Sequence, residues 1–103
     1  MFVQEVRRYY PFAPFLVAMV RHDFEWKGFY FKKGTPILID LHYVNHDSKL
    51  LENPYEFRPK RFKDRRKDLF YFVPQGGGNP NTGHRCPGEE ATVNIMKTSL
   101  KFF

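Results

Sequence analysis

One cysteine, Cys86, serves the whole chain of 103 residues. An internal disulfide framework is therefore excluded, and a reducing, cytoplasmic setting is expected. No apolar run approaches the roughly 20 residues that a helix needs to span a bilayer. Met1-Phe2-Val3-Gln4-Glu5 has neither the basic start nor the apolar run of a secretory signal. Histidine is sparse: His22, His42 and His46 show no ligand spacing with one another or with Cys86, so no zinc site is expected. No internal repeat is present. Capping residues are missing at both ends. A helical pattern starts almost at Met1 without a cap, and another runs into Phe102-Phe103 without a C-cap glycine. Residues 1–103 thus read as a single partial domain, truncated at both ends inside helices.

What the chain does hold is aromatic and basic. Hydrophobic residues make up 42%, with twelve Phe and six Tyr, so composition excludes a disordered chain. Such aromatic content asks for a larger core than a chain of this size builds easily alone. The net charge of +6 suits an acidic partner, whether nucleic acid, an anionic membrane or a redox protein. The cations are scattered among acids, however, and Lys60–Lys67 reads as a solvated loop. Aromatics interleaved with Lys and Arg can bind single-stranded nucleic acid. Here they follow strand and helix periods instead, so no nucleic-acid partner is expected.

Along the chain, Phe2 to Tyr9 reads as a helix with Glu5 and Arg8 one turn apart on one face. Pro11 and Pro14 end it and open an apolar loop through Phe15. Leu16–Arg21 reads as a short apolar strand. Asp23–Trp26 alternates with period two, Lys27-Gly28 suggests a hairpin turn, and Tyr30–Lys33 continues the ribbon. Pro36–Leu41 is a buried-strand candidate. Asn45-His46-Asp47-Ser48 is positioned to cap a short helix through Leu51. Residues 53–85 are mostly irregular, with Gly76–Asn81 as the most flexible part, and a run of that length is usually functional.

Cys86 sits in Gly83-His84-Arg85-Cys86-Pro87-Gly88, directly before a Val93/Met96/Leu100/Phe103 stripe at helical spacing. Pro87 suits a first helical position. A helix start and neighbouring Arg or His favour the thiolate, which is the metal-binding form of the side chain. Locally two readings stand: a thiolate ligand held at the start of a buried helix, or a small buried hydrophobe with inert sulfur. The Glu5/Arg8 pair alone reads as a solvated surface pair.

Taken in order, Glu5-x-x-Arg8, then Phe57-Arg58-Pro59-Lys60-Arg61-Phe62, then the Cys86 loop closely resemble the C-terminal region of the cytochrome P-450 family. The resemblance implies an α+β fragment, mainly α in the full domain. Its parts are a Glu-x-x-Arg helix, a small antiparallel β ribbon, a long irregular segment, the cysteine loop and the start of the proximal helix. It assigns Glu5, Arg8 and Arg61 to a buried charge triad, where two planar guanidinium forks hold one carboxylate. It implies haem b with Cys86 as the axial thiolate. Thiolate donation to the iron favours O–O cleavage. His84 takes the place of the basic residue that faces a haem propionate, its alternative being a loop histidine on a backbone carbonyl. Arg85 either shapes the loop surface or faces a propionate as well. Lys60 replaces the family's usual Glu, a surface change.

The cysteine loop departs from the general family signature: Asn79 stands where an aromatic is usual and Thr82 where a glycine is usual. Pro74-Gln75-Gly76-Gly77-Gly78, His84–Glu89 and the upstream Glu5–Phe15 string instead resemble the bacterial fatty-acid peroxygenase branch. That branch implies α- or β-hydroxylation of long-chain fatty acids by hydrogen peroxide, with decarboxylation in some members and no obligatory reductase. Its carboxylate-binding arginine belongs to an upstream helix outside this chain. Phe12 and Phe15 match the segment that turns toward substrate, where they line an acyl channel; the alternative is ordinary core packing. Competing readings are a reductase-dependent monooxygenase and a truncated, non-catalytic product. The isolated chain is expected to fold marginally and to turn over little.

Overall fold

A computed structural model describes residues 1–63 and 72–103. Helix α1 spans Phe2–Tyr9, matching the periodicity, and Met1 supplies no side-chain cap. Strand β1, Phe15–Met19, pairs antiparallel with β4, Pro36–Asp40, in the register Leu16 to Ile39 and Ala18 to Ile37. Between them, β2 (Phe24–Trp26) and β3 (Phe29–Phe31) form a separate antiparallel hairpin. Its turn is Lys27-Gly28, both at positive φ, which matches the right-handed twist of the two strands. Two ribbons thus stand where the sequence suggests one.

Helix α2 covers Leu41–Asn45 and is capped by Asp40, whose side chain accepts from the Tyr43 amide. This overturns the expected cap at Asn45–Ser48: Asn45 ends the helix and the other three follow it, so none begins it. Asp40 wins because its carboxylate lies at the end of an extended strand, in the backbone conformation that an N-cap requires. A short 3₁₀ turn, Pro59–Phe62, is the only regular element described between residues 46 and 88. The solvated-loop expectation for Lys60–Lys67 falls largely outside the described residues; Lys60 itself is exposed.

Helix α3 spans Glu89–Ser99, with Gly88 as N-cap, and tightens into a 3₁₀ turn over Leu100–Phe102. Pro87 therefore stands outside the helix, not at its first position. No residue of α3 is buried, and the β4 strand is mostly exposed as well. The aromatics follow the same pattern: Phe12, Phe15, Trp26, Phe29, Phe102 and Phe103 are all exposed. A chain of this size cannot cover so much apolar area by itself.

Val3, Val20, Leu41, Leu51 and Val73 form the apolar core. The largest fully buried side chains are nevertheless polar or charged: Arg8, Glu5 and Asn45. The Gly76–Asn81 stretch, expected to be the most flexible, folds as a tight turn. Gly76 and Gly78 are buried at positive φ, and the Gly83 amide donates to the Asn79 carbonyl at 2.7 Å. Glycine makes this possible: a Cβ on Gly76 would lie 2.2 Å from the His84 carbonyl oxygen.

Candidate functional site: a cysteine loop and two charge clusters

The first cluster gathers Glu5, Arg8 and Arg61. Arg8 Nε donates to Glu5 Oε2 and Nη2 to Oε1, both at 2.8 Å, a two-pronged pair with neither residue exposed. Arg61 Nε donates to Glu5 Oε1 at 3.1 Å, and the Arg58 amide donates to the same oxygen at 2.7 Å. The surface-pair reading of Glu5 and Arg8 is thereby overturned. Burial alone would raise the Glu5 carboxyl, but hydrogen bonds from Arg8 and the Arg58 amide, with the charges of Arg8 and Arg61, hold it below its ordinary value.

The remaining donors of the two arginines go to main chain. Arg8 Nη1 serves the carbonyls of Asn45 and Pro54, and Nη2 serves Glu56, so all five of its N–H groups are used. Arg61 serves the carbonyls of Glu52, Asn53 and Glu56. The irregular segment after α2 has no ladder to satisfy its carbonyls, and two guanidinium groups do so instead.

The second cluster was not read from the sequence. Arg7, buried on the neighbouring face of α1, donates to Glu89 and, at 2.9 Å, to Gln75 Oε1. Glu89 opens α3 and also receives Arg85 through Nε and, at 2.8 Å, through Nη2. Burial would raise the Glu89 carboxyl; the hydrogen bonds and charges of Arg85 and Arg7 outweigh it and hold the group low. The available signal was positional: Glu89 lies one helical turn beyond Arg85, at the helix end that favours a carboxylate.

Cys86 is exposed, beside the second cluster and three residues before Glu89. Its amide donates to the Gln75 carbonyl at 2.9 Å, and its own carbonyl accepts from the Glu89 amide at 3.2 Å. Gln75 Nε2 in turn donates to Thr92 of α3. His84 is exposed, and its carbonyl rests over Gly76. Arg85 is engaged with Glu89. Phe12 and Phe15 are 99% and 50% exposed, so within this chain neither is a core aromatic.

His42 and His46 stand one turn apart with stacked rings 4.1 Å between centroids, a closeness that the spacing argument overlooked. His46 Nδ1 bonds the His42 carbonyl, and burial pushes His46 below its ordinary value. Among the described residues no group of three His, Cys, Asp or Glu side chains is placed to hold a metal ion. The donor chemistry is therefore that of one accessible thiol, whose loop is fixed from both sides. That fits a cofactor iron taking a single thiolate ligand and does not fit an ion needing several protein ligands.

A cysteine loop ahead of a helix, tied through Arg7 and Glu89 to a Glu-x-x-Arg helix, is the arrangement expected of a haem-thiolate protein. The chain belongs to the cytochrome P450 family, whose sequence profile matches residues 1–101. Membership implies haem with a cysteine thiolate on its iron. Cytochrome P450 3A15 of Cavia porcellus is 36% identical over 103 residues, 97% of this chain and 20% of that protein. Among solved structures, cytochrome P450EX alpha (CYP152N1) with myristic acid superposes with a TM-score of 0.91 at 49% identity, over 99% of this chain and 25% of the other. Cytochrome P450SP alpha (CYP152B1) in complex with (R)-ibuprophen gives 0.86 at 52% identity, over 93% and 24%. A cytochrome P450 OleT variant with arachidonic acid gives 0.85 at 44%, over 98% and 24%. The chain thus spans about a fifth of the curated relatives' length and about a quarter of these structures'. Among the described residues no helix is long and apolar enough to cross a membrane.

Proposed function

We propose that the whole protein is an oxidoreductase that oxidises long-chain fatty acids with hydrogen peroxide, and that Cys86 would supply the thiolate that holds its haem iron. The observation carrying this reading is the 49% identity across 99% of the chain to a structure holding myristic acid. The likeness to an OleT structure holding arachidonic acid supports the same substrate class. In hydroxylation the O–O bond of peroxide breaks; one oxygen enters a C–H bond near the carboxylate and the other leaves as water. The haem-thiolate supplies that oxidising chemistry.

The chain's own residues hold and shape the site. Cys86 donates its thiolate, with its backbone amide held by the Gln75 carbonyl. His84 would donate a hydrogen bond to a propionate, and Arg85, its fork held by Glu89, would stand beside it. Glu5, Arg8 and Arg61 form the buried triad that ties the irregular segment to α1. Phe12 and Phe15 present apolar surface to the acyl chain. No reductase is needed, and the location is cytoplasmic.

The test is turnover of a long-chain fatty acid by the whole protein with hydrogen peroxide alone. Hydroxylated acid or terminal alkene is expected. Turnover driven only by a reductase and NAD(P)H, with no response to peroxide, overturns the peroxygenase reading in favour of a reductase-dependent monooxygenase.

A further inference from the structure

We propose that Glu89 is a positioning residue for the Cys86 thiolate, with Arg7 and Arg85 as its two arms; this rests on the haem-thiolate reading above. The contacts form a closed ring. Arg7 reaches Glu89, Glu89 grips Arg85, and Arg85 is bonded covalently to Cys86. The Cys86 amide returns to the Gln75 carbonyl, and the Gln75 side chain returns to the same Arg7 nitrogen at 2.9 Å. Arg7 therefore holds the ligand from both directions: through the residue before it and through its own backbone amide.

The ring differs in kind from the triad. Arg8 and Arg61 direct their remaining donors to backbone carbonyls of residues 45–56, in the irregular segment after α2. Arg7 and Arg85 both direct donors to Glu89; Arg7 also serves Gln75 beside the cysteine loop and Gln4 on its own helix. Among the described residues Glu89 is the sole carboxylate that both touch, and its side chain is only 15% exposed. Removing its charge leaves two guanidinium groups facing each other beside the ligand, so the loop must shift or the thiolate must feel the extra positive field. Either outcome is a change at the ligand and not merely a loss of packing.

The experiment compares haem-loaded wild type, Glu89→Gln and Arg85→Lys. For each, the ferrous–CO spectrum and the haem reduction potential are measured per haem bound. Hydrogen exchange of the Cys86 amide is followed in the haem-free full chain. In Glu89→Gln part of the ferrous–CO band is expected to lose its thiolate character and the potential to move. Cys86 amide exchange should rise about tenfold, the scale of one lost charge-assisted hydrogen bond. Arg85→Lys, which keeps the charge but loses the fork, should show the same changes in smaller measure, and serves if Glu89→Gln does not fold. A native spectrum, potential and exchange rate in the variants, at whatever stability, overturns the positioning role alone. Wild type that binds haem without a thiolate-type band overturns the haem-thiolate reading and the positioning role with it.

Discussion

Arg7 and Arg8 are consecutive on α1 and serve different carboxylates: Arg8 forks onto Glu5 within the helix, while Arg7 crosses to Glu89 at the start of α3. One helical turn thereby joins the irregular segment on one side to the cysteine loop on the other. Neither arginine reaches solvent to any extent. The two are not interchangeable, because successive side chains on a helix point about 100° apart.

Replacing Glu5 by Gln should be severe. Arg8 and Arg61 would then share a buried site with no compensating charge, at a cost of about 3–5 kcal/mol. The midpoint of urea unfolding should fall accordingly, and haem uptake should fall with it. A midpoint within error of wild type would show that the triad contributes nothing.

Gly76→Ala should pull the cysteine loop away from the turn beneath it. The new Cβ meets the His84 carbonyl at a distance no real contact shows, and φ is +90. Strain of about 1–3 kcal/mol is expected, with backbone on both sides and no flexible side chain to yield. Thermal unfolding measures it; the companion Gly28→Ala, with open space around its Cβ but φ +80, should cost less.

Cys86→Ala should abolish thiolate ligation while leaving α1 and the triad folded. The ferrous–CO spectrum of haem-loaded protein reads this directly. A retained thiolate-type band would rule out Cys86 as the ligand, since the chain holds no other cysteine.

Acid should unfold the chain in two stages. His46 is held below its ordinary value, so the unfolded state takes up its proton first and stability falls as pH drops through about 6.5. Glu5 and Glu89 are also held low, so the stability they contribute is complete above the unfolded carboxylate range. It is lost as pH falls from about 4.5 through their depressed folded values. Urea midpoints between pH 8 and 3 check both stages; a flat profile from 7 to 5 would remove His46 from the account.

Phe12→Ala should leave stability within about 0.5 kcal/mol, because the ring is almost wholly exposed. Chain-length preference or regioselectivity should change in the whole protein while haem content holds. Unchanged products with lost haem would favour a packing role.

Much of this was legible because it depends on spacing. The 3.6 period marked α1 to the residue, Lys27-Gly28 marked the hairpin, and the Glu5, Arg61 and Cys86 motifs stood in the order of the family to which the chain belongs. What was not legible depends on contacts between distant residues. Nothing local says that Arg7 meets Glu89, 82 positions away, or that Gly76 lies under His84. The sequence misplaces α2 because a strand reading through Leu41 puts Asp40 inside the strand, where its side chain does not count as a cap. Gly76–Asn81 read as flexible because glycine is free in an isolated chain; in the fold the same freedom admits a compact turn.

The Arg8 donors also impose an order of events. Their main-chain acceptors at Asn45, Pro54 and Glu56 lie 37 to 48 residues downstream. During synthesis the helix emerges first, and its guanidinium must stay hydrated until those carbonyls arrive. Short-range turns such as Leu51 to Asp47 and Glu56 to Asn53 can form in residues 45–56 beforehand, but their fixing against α1 waits for this long-range closure.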